Sequence, residues 1–154
     1  MTPAIKKLKN QAIAFKLHRY EHDPYEHNYG DEVVQKLSFP AEKIFKTLIV
    51  QTEKATLAVA VIPVNKQLNL KTMAKTLNCK KVSLADAKLV EKSTGYILGA
   101  VSPIGQKKPL LTLLDESALN FNTVFISGGK RGLEIEISPQ DLLKATQGKI
   151  ALLT

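Results

Sequence analysis

Apolar positions change their spacing repeatedly along the 154 residues, and each change marks an element. Thr2-Pro3 supplies a cap and a first-turn proline, and Ile5, Leu8, Ala12 and Ile13 follow at helical spacing, which predicts a first helix. Residues 17–22 alternate as a short strand until Asp23-Pro24 breaks it. Gly30-Asp31 caps a short helix through Leu37, and Pro40 separates it from the next element. Residues 44–51 and 55–62 read as a hairpin joined by Thr52-Glu53-Lys54. Asn69 or Thr72 starts a helix to Leu77, and Ser83 with Asp86 begins another through Lys92. From Gly95 a strand enters a loop rich in Gly and Pro that ends at Gly105. Strands at 110–114 and 123–126 come next, with a short turn of helix at 115–119 and a second glycine-rich loop at 127–132. Residues 133–137 alternate as a strand with Glu134 and Glu136 outward, Ser138-Pro139 opens a helix through Ala145, and 150–153 form a last strand. Helices and strands do not alternate strictly. The expected fold is therefore α+β, a mixed sheet or small barrel-like sheet surrounded by helices, in one domain spanning residues 1–154 with no repeat or linker.

The most apolar stretch contains its own exception. Period-2 alternation puts Lys46 on the same face as Ile44, Leu48 and Val50. An ammonium among apolar side chains costs free energy unless a negative group meets it, so Lys46 is a candidate for an anionic ligand. The competing reading is an edge-strand lysine that reaches water and discourages aggregation.

Charge changes the picture moderately. Lys and Arg number 22 against 14 Asp and Glu, a formal charge of +8 that favours a polyanionic partner. The basic residues are scattered as pairs, and nine Phe and Tyr with no Trp offer few stacking platforms, so backbone or end recognition of a nucleic acid fits better than base reading. A single cysteine, Cys79, excludes an internal disulfide and fits a reducing cytoplasm. The first residues lack a secretory apolar core and no apolar run is long enough for a bilayer, so a cytoplasmic location and no membrane partner are expected.

Candidate chemistry is sparse. Gly99, Gly105, Gly128, Gly129 and Gly132 are able to build nests of backbone N–H groups for an oxygen anion, or to serve only as tight turns. Neither glycine-rich segment fits a Walker A or dinucleotide fingerprint, and Ser102 before Pro103 is no nucleophile elbow. Cys79 has no marked histidine partner. His18, His22 and His27 with Asp23 match no strong zinc spacing, and no cofactor is indicated. Tyr20 and Tyr29 fit either a pocket wall or ordinary part-buried positions. Glu134 and Glu136 read as a solvated face, with general-base work a weaker option.

Four ordered segments carry a resemblance. Phe45-Lys46-Thr47-Leu48, then Ser93-Thr94-Gly95-Tyr96 leading into Ser102-Pro103-Ile104-Gly105-Gln106-Lys107-Lys108, then Ser127-Gly128-Gly129-Lys130-Arg131-Gly132-Leu133, resemble the YbaK family of aminoacyl-tRNA deacylases. The N-terminal Tyr20-Glu21-His22-Asp23-Pro24 and Gly30-Asp31-Glu32-Val33-Val34 are similar to it as well. Ala100 departs from the family, which often has a second glycine after the position of Gly99. The resemblance implies a fold like the editing domain of prolyl-tRNA synthetase. It also implies hydrolysis of Cys-tRNA(Pro), and of Cys-tRNA(Cys) as a further substrate, with aminoacyl-tRNA and prolyl-tRNA synthetase as partners and no metal. In that mechanism the thiolate of the substrate's cysteine attacks its own ester carbonyl and leaves as a cyclic thiolactone. Lys46, the candidate catalytic residue, would hold the terminal adenosine end. Gly99, Ser102 and the Gly128-Gly129 loop would position the ester and its oxyanion, Pro103, Gly105, Ser127 and Arg131 would also bind substrate, and Tyr20, Tyr29 and Thr47 would line the pocket. A deacylase for alanyl or other small esters using activated water, and a non-catalytic tRNA- or synthetase-binding module, are the alternatives.

Overall fold

A computed structural model describes residues Met1–Thr154. Five α-helices accompany eight strands, which form two sheets. Helix α1 (Pro3–Asn10) precedes β1 (Lys16–Arg19) and α2 (Tyr29–Leu37). The hairpin β2 (Phe45–Thr52) and β3 (Leu57–Pro63) leads to α3 (Leu70–Thr76), β4 (Val82–Leu84) and α4 (Ala87–Thr94). Then come β5 (Leu111–Asp115), β6 (Val124–Lys130), β7 (Leu133–Ile137), α5 (Pro139–Thr146) and β8 (Lys149–Ala151). No helix is long and apolar enough to cross a membrane.

Local chemistry explains most helix starts. Thr2, Asn28, Asn69, Asp86 and Ser138 each accept a backbone N–H of the first turn, and Pro follows directly after Thr2 and Ser138, where its missing N–H costs nothing. Gly95 ends α4 at φ 79°, a conformation that most side chains avoid.

One sheet runs β1-β7-β6, all antiparallel, and the other β4-β2-β3-β5-β8, whose last two pairings are parallel. The mixed sheet expected from the sequence is present, but the strands do not close into a barrel. A lone bridge between Ile44 and Phe125 joins the two sheets. The main core lies between them, where Phe45, Ile49, Val59, Val61 and Leu114 meet Ile126, Leu133, Ile135 and Ile137. Helix α3 covers the far face of the five-stranded sheet, burying Val50, Ala58, Ala60 and Ile62 with Met73 and Ala74. Helix α2 covers the far face of the three-stranded sheet through Val33, packed with Ile44 and Phe125.

Three local expectations are corrected. Residues 95–101 form no strand; they turn irregularly, with Ala100 N–H bonded to Ile97 C=O at 3.0 Å. The segment 127–132 is largely strand, since β6 continues to Lys130 through a register shift between Ser127 and Lys130. The outer face of β7 is not uniformly solvated: Glu134 is 5% exposed beside α2, while the Glu136 side chain keeps 19% of its exposure.

Candidate functional site

β4 pairs with β2 only over Val50–Thr52, which leaves residues 45–49 of β2 without a strand neighbour on that side. Against this open edge lies a cavity of about 630 Å³. β2 contributes Lys46 and Thr47, α2 and the turn before it contribute His27 and Tyr29, the irregular loop contributes Leu98 and Gly99, and the three-stranded sheet contributes Ser127 and Glu134. The cavity therefore stands where the two sheets diverge.

Its polar groups are short of partners. Lys46 is half-buried, forms no ion pair, and has its pKa lowered by burial. The Thr47 hydroxyl is buried with no hydrogen bond. Ser127 Oγ accepts the Gly129 N–H at 3.0 Å, and its own proton has no acceptor in the protein. Glu134 makes neither a hydrogen bond nor an ion pair, and burial pushes its carboxyl up to about 8. Buried polar groups are ordinarily satisfied, so a buried hydroxyl with no partner at Thr47 and an unpaired carboxyl at Glu134, beside an unpaired Lys46, mark this cavity as a candidate ligand site.

Tyr29, on the cavity wall, is braced by a chain of contacts. Arg131 lays its guanidinium 4.7 Å from the Tyr29 ring centroid and donates to Leu98 C=O at 2.8 Å. Gly99, at φ 87°, lets the Tyr29 ring come so close that an added Cβ would sit 2.3 Å from it. Behind Tyr29, His22 Nδ1 lies 2.5 Å from Glu32 Oε1, and Glu32 also accepts the Asp23 N–H at 2.8 Å. Burial alone would raise the Glu32 pKa, but the hydrogen bonds from His22 and Asp23 and the charges of His22 and Lys36 outweigh it and hold the carboxyl below its usual range.

The whole pattern has close relatives. Residues 27–145 match the aminoacyl-tRNA editing domain family. The chain is 37% identical over 153 residues, 99% of its length and 93% of the relative's, to the Enterococcus faecalis protein named "Putative Cys-tRNA(Pro)/Cys-tRNA(Cys) deacylase EbsC". The chain belongs to the aminoacyl-tRNA editing domain family. A second relative, proline-tRNA ligase of Pelotomaculum thermopropionicum, is 34% identical over 94 residues, 61% of this chain but 16% of that enzyme. A crystal structure described as "a putative trans-editing enzyme for prolyl tRNA synthetase" shares the fold, with TM-score 0.85 and 23% identity over 100% of this chain and 98% of that one.

In this editing domain the expected site residues separate into two groups. Lys46, Tyr29, Thr47, Gly99 and Ser127 come together on the cavity wall. Arg131 stands behind Tyr29 and Leu98. Tyr20 lies outside the lining, packed with Val33, Ile44 and Phe125; burial first, and then the neighbouring Glu134 charge, push its phenol up to about 12. Ser102 is fully buried and its Oγ accepts the Ile104 N–H at 3.3 Å. Pro103 and Gly105 line a separate shallow groove with Lys7 and Lys108, and an added Cβ at Gly105 would meet the Pro3 backbone at 2.7 Å. Gly128 accepts the Thr2 hydroxyl at 2.6 Å, and Gly129 lies against Tyr96, so both lock β6 to its neighbours.

The histidines do not gather. His18 bonds Glu136 at 2.8 Å and His22 bonds Glu32, and no three His, Cys, Asp or Glu side chains cluster as a metal site. Cys79 packs on the α3 side of the five-stranded sheet, outside the cavity lining. Glu134, read from the sequence as a solvated position with general-base work a weaker option, is instead buried on the cavity wall. Unlike Lys46, which shares its strand face with Ile44, Leu48 and Val50, Glu134 shares its face with Glu136 and carries no sequence signal of burial.

Proposed function

We propose that this editing domain hydrolyses the ester of mischarged Cys-tRNA(Pro), with Cys-tRNA(Cys) as a further substrate. The observation that carries the reading is the cavity at the open edge of β2, where an unpaired Lys46 ammonium and an unpartnered Thr47 hydroxyl face space large enough for an aminoacyl adenosine end. The similarity to the Enterococcus faecalis relative supports the substrate class. The match to a segment of a proline-tRNA ligase supports prolyl-tRNA synthetase as the source of the mischarged substrate and as a further partner.

The chemistry fits the residues present. Neither Thr47 nor Ser127 is hydrogen-bonded to a histidine, so neither has the base a protein nucleophile needs. A cysteinyl ester brings its own nucleophile, a thiol with pKa ~8.5 that is partly ionised at neutral pH. The thiolate sulfur attacks the ester carbonyl carbon, the bond to the ribose oxygen breaks, and that oxygen takes a proton as tRNA leaves. The cyclic thiolactone then opens in water. In this scheme Lys46 holds the anionic tRNA end, while Gly99 and Ser127 position the ester and its developing oxyanion. The protein's contribution is orientation.

Deacylation measured side by side on Cys-tRNA(Pro), Ala-tRNA(Pro) and Cys-tRNA(Cys) tests the reading. Rapid loss of cysteine from both cysteinyl substrates with alanine retained is the expected result. Faster release of alanine would replace thiol attack with attack by activated water, a route for which Glu134 is the available base.

A further inference from the structure

Glu134 has no role in thiol attack by the substrate, yet it is the most unusual group on the cavity wall. It sits on β7 opposite His18 of β1 and Ser127 of β6, beneath α2, and is 5% exposed. No protein donor bonds its carboxyl and no cation lies within ion-pair distance. A carboxyl in that setting avoids its charge and stays protonated until a cation arrives, which agrees with its pKa of about 8. His18, its cross-strand neighbour, is already engaged by Glu136 at 2.8 Å, and Lys46 on the facing wall stays unpaired. The cation is therefore missing from the protein itself.

We propose that Glu134 is the subsite for the α-ammonium group of the aminoacyl ester. An aminoacyl adenosine end carries one cationic group, the α-ammonium, a single carbon away from the reacting carbonyl; its phosphates are anionic and its ribose and thiol are neutral. Pairing that ammonium with Glu134 gives each of the two unpaired lining groups an opposite charge: anionic tRNA against Lys46, cationic amino group against Glu134. Fixing both the amino group and the ester holds the α-carbon, so the side chain that carries the thiol has only one remaining torsion to settle before attack. The same pairing selects a free amino group and rejects acylated ones. An α-amino group has a pKa of ~7.7–8.0, close to that of Glu134, so complex formation near neutral pH releases up to about one proton as the carboxyl ionises. The other titratable groups around the carboxyl are His18 across the strand, Tyr20, whose phenol is pushed up to about 12 and feels both Glu134 and the Glu32 of α2, and His27 and Lys46 on the lining.

The inference rests on the proposed cysteinyl-ester reading, and its test keeps the two apart. The probes are a non-hydrolysable 3′-cysteinylamido adenosine and its desamino counterpart, 3-mercaptopropanoylamido adenosine, each titrated calorimetrically in two buffers of different ionisation enthalpy. Wild-type protein is expected to bind the amino probe at least tenfold more tightly than the desamino probe and to release protons. Glu134→Gln, an isostere of the protonated acid, is expected to bind both probes alike, with the desamino affinity unchanged and proton release abolished. A Glu134→Gln protein that keeps the preference for the amino probe overturns the subsite, as does a wild type without preference. Loss of turnover in Glu134→Gln with the preference intact also overturns it and makes Glu134 a proton-transfer group. A wild type that shows the preference but leaves Cys-tRNA(Pro) intact rejects the proposed reaction and keeps the subsite.

Discussion

Lys46 and Glu134 face the same cavity from opposite sheets and are opposite in charge, but they are buried by different means. Lys46 stands on the unpaired edge of β2, only half withdrawn from solvent, and that partial burial lowers its pKa. Glu134 stands on the central strand of its sheet, under a helix, and burial raises its carboxyl to about 8. An edge position lets a charge stay ionised and wait for a ligand; a covered central position makes the group neutral until a ligand supplies the counter-charge. The difference teaches that one cavity is able to hold two unpaired ionisable groups without the cost of two buried ions.

The strongest way to break the comparison is to remove the charge that stays ionised. Lys46→Ala is expected to lower deacylation of Cys-tRNA(Pro) by about a hundredfold or more, the scale seen when a preorganised electrostatic contact is deleted. Circular dichroism should show the fold intact, because the Lys46 side chain makes no ion pair and the substitution keeps the backbone pairing with Ile62. Wild-type turnover in that variant would remove Lys46 from the site.

The second effect is on stability and its pH dependence. The folded pKa of Glu134 lies well above the ordinary carboxylate value of 4.5, so folding binds a proton that the unfolded chain releases. The stability tied to that proton is complete at low pH, below the ordinary carboxylate value, declines as pH rises, and is lost as pH passes about 8. Glu134→Gln keeps the neutral shape and cannot ionise. Its melting temperature is therefore expected to match wild type near pH 4 and to exceed it by several degrees near pH 9. Parallel melting curves at both pH values would show that Glu134 is solvated and would dissolve the contrast with Lys46.

The elements legible in the sequence are those whose cause is local. Thr2-Pro3, Asn69, Asp86 and Ser138-Pro139 announce helix starts through one side chain and one backbone N–H, and all four helices start there. β4 is three residues long and has too little alternation to read. The Gly128-Gly129 pair reads as a loop because glycine punctuates turns, but here it relieves a bulge against Leu133 and Tyr96, contacts that only the folded chain supplies. The same limit applies to the site. Lys46 is visible because its own strand is apolar around it; Glu134 is not, because alternation says which residues share a face and is silent on whether α2 covers it. Tyr29 and Gly99, whose residue types left packing or a tight turn open, stand on the cavity with Ser127, which enters by resemblance, whereas Ser102 and Gly105 serve the packing of the loop against α1 and its own backbone.

The smallest effect is the sharpest test of how the two charges differ. Burial lowers the Lys46 pKa, so the folded state gives up a proton more readily than the unfolded chain, and a penalty persists at every pH below the folded pKa. Lys46→Met retains the aliphatic stem and removes the charge. It is expected to raise the melting temperature slightly at pH 7, by less than Glu134→Gln does at pH 9, because solvent already screens a half-exposed ammonium. That gain should fade as pH rises toward the ordinary lysine value of 10.5, whereas the gain from Glu134→Gln grows over the alkaline range. Differential scanning calorimetry of both variants from acid to alkaline pH reads the two slopes directly. Slopes of the same sign would mean that one shared electrostatic environment governs both residues, and the division between an ionised edge and a neutral interior would fail.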